Sequence, residues 1–172
     1  MKKITLAIVG NANVGKSVMF NNLTGAYVTV SNYPGTTVEV SRGEGKIGQD
    51  KFEVIDTPGM YSLLPITEEE RVARAILLEE HPEIVLHMID AKNLERMLTF
   101  TFQLIEAGLP TILVLNMMDE VERSGKKIRV ERLEEELQIP VVATVSTTGK
   151  GMDILKGRIE EYVGKSKEKD KV

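Results

Sequence analysis

The stretch Gly10-Asn11-Ala12-Asn13-Val14-Gly15-Lys16-Ser17 constrains this chain more than any other. It meets every fixed position of the phosphate-cradling pattern G-x-x-x-x-G-K-[ST]. Ile4 to Val9 before it is an apolar run suited to a buried strand, and Ser17 to Leu23 after it has helical character and stops at Gly25. A strand, a glycine-rich loop and a helix in that order let backbone N–H groups turn inward around phosphates. The helix N-terminus adds partial positive charge at the same place. Lys16 then reaches the β- and γ-phosphates, and the Ser17 hydroxyl is placed to ligate magnesium. A chain with this loop is expected to fold as α/β.

The rest of the pattern agrees. Val38 to Ile47 and Lys51 to Ile55 flank Gly48-Gln49-Asp50 and read as a hairpin. Ile84 to Ile89, Thr111 to Leu115 and Pro140 to Val145 are further short apolar runs. Thr67 to Glu80, Leu94 to Ala107, Val130 to Leu137 and Met152 to Val163 have helical spacing. Thr67 with Glu70 is a capping box, which predicts a helix start there. Alternation of this kind predicts a mostly parallel, six-stranded sheet with one antiparallel strand and helices on both faces. Ligands of such sheets sit at the carboxyl ends of strands.

Composition narrows the class. The chain has 172 residues, enough for one domain with a sizeable core. A net charge of -4 argues against a broad nucleic-acid footprint. No cysteine is present, which removes disulfides and thiolate chemistry. No apolar run reaches membrane-spanning length, so this stretch is expected to be soluble. Met1-Lys2-Lys3 leads straight into the first strand, and Lys165 to Val172 reads as a charged, solvated tail or the start of a linker.

Three more strand-end loops have matching chemistry. Asp56-Thr57-Pro58-Gly59 offers a carboxylate that can hold magnesium through a water, and a glycine whose N–H can approach a γ-phosphate. In Asn116-Met117-Met118-Asp119, the Asp119 carboxylate can accept from guanine N1–H and the 2-amino group. Adenine has neither donor, so a carboxylate there would be left unpaired against it. Asn116 would brace the loop. Ser146-Thr147-Thr148-Gly149 can support the base through a backbone N–H, with Ser146 orienting Asp119. A fifth segment, Val30 to Glu39, contains Thr36 and Thr37. Either threonine could bind magnesium by its hydroxyl and a γ-phosphate by its N–H, and either could simply begin a strand.

Together these five loops resemble the translation-factor-like GTPases over roughly Lys3 to Gly164. The wording is more specific still. Gly10-Asn11-x-Asn13, Asn32-Tyr33-Pro34-Gly35-Thr36-Thr37, Asp56-x-Pro58-Gly59-x-Tyr61-Ser62-Leu63 and Asp90-Ala91-Lys92-Asn93-Leu94-Glu95-Arg96 are similar to the N-terminal GTPase domain of the ferrous iron transport protein B family. The resemblance implies a Ras-like domain over residues 1–164 that binds and hydrolyses GTP with magnesium. The domain would lie on the cytoplasmic side of a membrane, followed from residues 165–172 by helical and membrane regions. It implies Thr37, not Thr36, as the switch threonine. Catalytic roles fall to Lys16, Thr37 and Gly59. Nucleotide contacts fall to Asn11, Ala12, Asn13, Val14, Gly15, Lys16, Ser17, Val18, Thr37, Asp56, Gly59, Asn116, Met117, Asp119, Ser146, Thr147 and Thr148. Magnesium falls to Ser17, Thr37 and, through water, Asp56. It further implies a potassium site at Asn13 with carbonyls of Ser31 and Tyr33, although an asparagine there also tolerates unusual backbone angles.

Ala12 stands where the family usually has proline, and Tyr33 where many members have tryptophan. Met60 occupies the place of the water-orienting glutamine of Ras-like GTPases, which the family also lacks. Methionine makes no strong hydrogen bond to water, so Met60 is assigned no catalytic part. His81 and His87 are too isolated to make a metal site. The methionines read as core filler, and Glu68-Glu69-Glu70 as an acidic first helical turn. Two other functions fit the loops: a ribosome- or RNA-associated GTPase, and a GTP-binding module with negligible hydrolysis.

Overall fold

The computed structural model describes residues 2–172; Met1, in the lead to the first strand, lies outside them. Seven strands form one sheet: β1 (Ile4–Val9), β2 (Val28–Asn32), β3 (Glu39–Ile47), β4 (Asp50–Asp56), β5 (Ile84–Asp90), β6 (Thr111–Asn116) and β7 (Val141–Ala143). Their order across the sheet is β2-β3-β4-β1-β5-β6-β7. β1 pairs in parallel with β4 and β5, and β5, β6 and β7 continue in parallel. Only β3 runs against the rest, pairing antiparallel with both β4 and β2. The sheet thus has one strand more than the apolar pattern predicted. All five residues of β2 are exposed, so it carries no buried period by which a sequence reading would find it.

The helices are α1 (Lys16–Leu23), α2 (Glu68–Glu79), α3 (Leu94–Glu106), α4 (Met118–Arg123), α5 (Val130–Leu137) and α6 (Met152–Lys169). Side-chain alternation along β1 divides the core. Leu6 and Ile8 face one layer with Met19 and Phe20 of α1 and Leu155 and Ile159 of α6. Ala7 and Val9 face the other, with Ala73 and Leu77 of α2 and Phe100 and Leu104 of α3. Covered on both faces, β5 is buried at every position but its last, Asp90, as its continuous apolar run requires.

Local chemistry sets several boundaries. The Thr67 hydroxyl accepts from Glu70 N–H at 3.1 Å and starts α2. Glu70 answers to the Ile66 N–H, one residue before the box partner. His81 takes a left-handed conformation (φ 50°) just past the end of α2. Two expected boundaries move. β7 stops at Ala143: the Thr144 N–H still donates to Leu115 O of β6, but its carbonyl accepts from the Met118 N–H outside the sheet. The helix read to Val163 continues to Lys169, through most of the charged tail.

Candidate nucleotide site

Four loops leave the carboxyl ends of β1, β4, β6 and β7 on one side of the sheet. In the first, Asn13 (φ 67°) and Gly15 (φ 97°) adopt left-handed conformations, which bend the loop into an N–H-lined concavity. The cap of α1 is Gly15, which has no side chain to cover the first N–H groups of the helix. A Cβ at Gly15 would lie 2.3 Å from the Asn116 Nδ2, so only glycine fits. Gly59, from the loop after β4, closes against the cradle: a Cβ there would stand 3.1 Å from the Ala12 nitrogen. That loop is tied down on either side of Gly59. Thr57 donates through its N–H and hydroxyl to Ile8 O, and the Met60 N–H donates to Gly10 O.

Lys16 and Asp56 form the charged centre. Burial lowers the Lys16 ammonium below its ordinary pKa, and the Asp56 carboxylate pulls it back up. Burial raises Asp56, while Lys16 and the Ser17 hydroxyl pull it down. The Ser17 Oγ lies 3.4 Å from Asp56 Oδ2, and Asp56 Oδ1 is buried without a hydrogen-bond partner. A hydroxyl beside a carboxylate with an unpartnered oxygen is the donor set of a hard cation such as magnesium. Ser17 and Asp56 therefore fit that ion.

Asn116 joins three of the loops. Its Nδ2 donates to Val14 O at 2.9 Å and to Ser146 Oγ at 3.0 Å. Its Oδ1 accepts from the Ser146 N–H and the Thr144 hydroxyl, each at 3.0 Å. The Ser146 hydroxyl accepts from Asn116, and no hydrogen bond among the described residues joins it to Asp119. Asp119 instead accepts from Arg123 one turn along α4, at 3.1 Å. Met117, left-handed at φ 60°, turns the chain into α4 and sets Asp119 in its first turn. Thr148 closes its own turn onto Val145 O, and Thr147 is exposed beside it. Asn11 and Val18 are half-buried at either side of the cradle.

The Val30 to Glu39 segment is held by its own ladder and turn. Ser31 pairs with Val40 in the β2–β3 ladder. Tyr33-Pro34-Gly35-Thr36 is a tight turn in which Tyr33 O accepts both the N–H and the hydroxyl of Thr36. Thr37 is exposed, and no hydrogen bond among the described residues joins it, Ser31 or Tyr33 to the phosphate loop. Met60 points into the core with Ala73, Leu77 and Phe100 and is fully buried.

Three supporting residues escape a motif reading: Thr144, Arg123 and Asn22, whose Nδ2 donates to Ser146 O at 2.9 Å. Their only sequence signal is a polar side chain next to a motif or on the helix facing it.

The family described as ferrous iron transport protein B matches residues 4–159. The chain belongs to this family. Among curated relatives, the Escherichia coli K12 Fe(2+) transporter FeoB is 39% identical over 166 residues, covering 94% of this chain and 22% of its own. A Porphyromonas gingivalis fusion of Fe(2+) transport protein A and the FeoB transporter is 46% identical over 150 residues, covering 87% of this chain and 18% of its own. The chain therefore spans about a fifth of these relatives' length. Among solved structures, the FeoB G-domain from Methanococcus jannaschii is 38% identical with a TM-score of 0.83, covering 95% of this chain and 99% of that one. The cytosolic domain of the T. maritima FeoB iron transporter in a GDP form reaches 0.89 at 37% identity, covering 94% and 63%. The fold is that of the family's G domain, and at the level of the family the chain is a GTP-binding GTPase domain.

Proposed function

We propose that this chain binds GTP with magnesium and hydrolyses it to GDP and phosphate, as the regulatory domain on the cytoplasmic side of a ferrous iron transporter. Residues 1–164 would be the GTPase domain, and 165–172 the beginning of the connection to helical and membrane regions. The observation that carries the reading is the Asn116 hub, which binds the phosphate loop to the Ser146 loop and holds Asp119 beside them.

Each residue then has a role. The Asn13 to Ser17 N–H groups and Lys16 hold the phosphates. Asp119 selects guanine. Ser17, Asp56 and Thr37 would hold magnesium, Asp56 through water; when bound, the ion neutralises charge on the β- and γ-oxygens. The Gly59 N–H and Thr37 contact the γ-phosphate and help place water, because Met60 is committed to the core. Thr37 reaches that position only when the Val28 to Val38 segment leaves the turn and ladder described above. Binding of γ-phosphate would thereby move this segment, and its loss on hydrolysis would release it. The Asn13 side chain would hold potassium, joined by Ser31 and Tyr33 carbonyls after that rearrangement.

The test is single-turnover cleavage of GTP and ATP by the purified chain in potassium and in sodium. GTP cleavage that is lost in Lys16→Ala and faster in potassium than in sodium is expected, with the potassium gain lost in Asn13→Ala. No GTP cleavage in either salt would overturn the hydrolytic reading and leave a binding module. Equal rates in both salts would overturn the potassium site alone.

A further inference from the structure

The two edges of the sheet, β7 and β2, are finished differently. β7 is three residues long, and the Glu134 carboxylate of α5 accepts from the Val141 N–H at 2.9 Å, so the chain itself closes part of that edge. β2 is left open. Its five residues, Val28-Thr29-Val30-Ser31-Asn32, are all exposed and include no charge and no proline. Their register on β3 runs without a bulge from Val28 opposite Gly43 to Asn32 opposite Glu39. Sheet edges are ordinarily blunted by a charge, a proline, a bulge or a covering segment, and β2 has none of these. The direction of its free groups follows from the ladder. Tyr27 O accepts from the Glu44 N–H, and the Tyr33 N–H donates to Val38 O, both in register with β2 and β3. Antiparallel bonds fall on alternate residues. Tyr27, Thr29, Ser31 and Tyr33 therefore turn their backbone groups to β3, and Val28, Val30 and Asn32 turn theirs outward. The side chains of those three residues share one face of the sheet, where Val28 and Val30 are largely exposed.

We propose that this edge pairs with β2 of a second copy of the chain, antiparallel about a two-fold axis at Val30. The outward residues are spaced evenly about Val30, so a second copy matches them with none left over. Val30 exchanges both backbone bonds with Val30 of the second copy, and at each end Val28 exchanges both with Asn32 of the second copy. The two sheets become one continuous sheet. Val28 and Val30 of both copies then form one apolar strip, because diagonal neighbours across a strand pair are within reach of each other. The absence of charge is what suits the edge to its own copy: two chains that each carry a net charge of -4 meet there without opposing like charges. The contact is isologous and closes on itself, which gives a dimer and not a filament. Strands of five residues bury little area against the ~800 Å² per partner of a standard stable interface, so the dimer is reversible and forms at high protein concentration. The pairing uses the conformation described above and does not rest on the nucleotide assignment.

The experiment uses the whole chain without nucleotide, with sedimentation equilibrium and amide hydrogen exchange measured across a concentration series. A monomer–dimer equilibrium is expected, in which the Val28, Val30 and Asn32 amides gain protection as the dimer forms. The Thr29 and Ser31 amides, already bonded to β3, change less. Val30→Lys sets two ammonium groups opposite each other on the axis and weakens association about tenfold or more. Val30→Thr keeps a β-branched strand residue and stays within about threefold of the parent. Circular dichroism of both variants stays unchanged, because the Val30 side chain faces solvent. A chain that is monomeric throughout the series overturns the proposal. So does a dimer whose protection falls outside β2, or one that Val30→Lys leaves undiminished.

Discussion

Asn116 uses its whole hydrogen-bonding capacity. A side-chain amide has two N–H donors and an oxygen with two lone pairs, and here all four are engaged at 2.9 to 3.0 Å while the residue is 2% exposed. Asn116→Ala would leave Val14 O, the Ser146 N–H and the Thr144 hydroxyl buried and unpaired. At roughly 1–3 kcal/mol for each unsatisfied buried group, partly relieved by relaxation, the expected loss is about 3–5 kcal/mol. Asn116→Asp keeps the shape but presents a carboxylate to Val14 O, and is expected to destabilise as well. Urea unfolding of the two variants, with GDP affinity measured alongside, checks both effects. A stability within about 1 kcal/mol of the parent would contradict the hub, since that is the size of a single ordinary hydrogen bond. The importance of an asparagine after an apolar strand is legible from the motif. Its partners are not, because Val14 and Ser146 lie far from it in the chain.

At the scale of elements, β5 and α3 are joined through a buried histidine. His87 stands edge-on to Phe100, with ring centroids 4.9 Å apart at 70°, and its Nδ1 shares a 3.0 Å hydrogen bond with the Thr101 hydroxyl. Burial lowers its pKa from 6.5 to about 3. The neutral ring is therefore favoured in the folded chain, while the unfolded chain takes up the proton below about pH 6.5. His87 thus contributes stability that is complete above pH 6.5 and is lost as pH falls from there toward 3, with a slope approaching ~1.4 kcal/mol per pH unit. Comparing urea midpoints of the parent and His87→Gln across pH 4 to 8 isolates this contribution from that of the carboxylates. The parent should lose stability more steeply below pH 6.5, and parallel curves would refute the assignment. From the sequence, His87 is set aside as a metal ligand and has no named partner. Only the packing shows that α3 supplies both of its partners.

For the whole molecule, the least secure element is β2. It lies at the sheet edge, its five residues are exposed, and Val28 and Val30 face solvent at 42% and 58%. An edge strand with little buried side-chain area opens at low cost in free energy. With GDP, the β2 amides that bond to β3 should be protected from hydrogen exchange. With magnesium and a non-hydrolysable GTP analogue, they should lose protection as Thr37 is drawn to the γ-phosphate. Equal exchange from Val28 to Val38 in the two states would show that this segment does not report the nucleotide. The charged end of the chain belongs to the same scale, since Lys167 pairs with Asp50 at 2.7 Å and ties α6 to the start of β4. In the sequence that end reads as a charged, solvated tail or the start of a linker, and its residues 165–172 are exposed.

The sequence by itself pointed to the phosphate-loop pattern, to Ser17 and Asp56 as a pair, to the Asn116–Asp119 loop and to the alternation that builds a parallel sheet. Those depend on short covalent spacing: Gly15, Lys16 and Ser17 are adjacent, and each remaining loop directly follows an apolar run. Tertiary structure decided what depends on pairing between distant segments. It joined Ser146 to Asn116, put Met60 in the core, and zipped the Val28 to Asn32 segment onto β3. The reason is the same in each case. A hydrogen bond or a buried contact between segments far apart in the chain leaves no period and no spacing to read, and forms only when the sheet has brought its partners together.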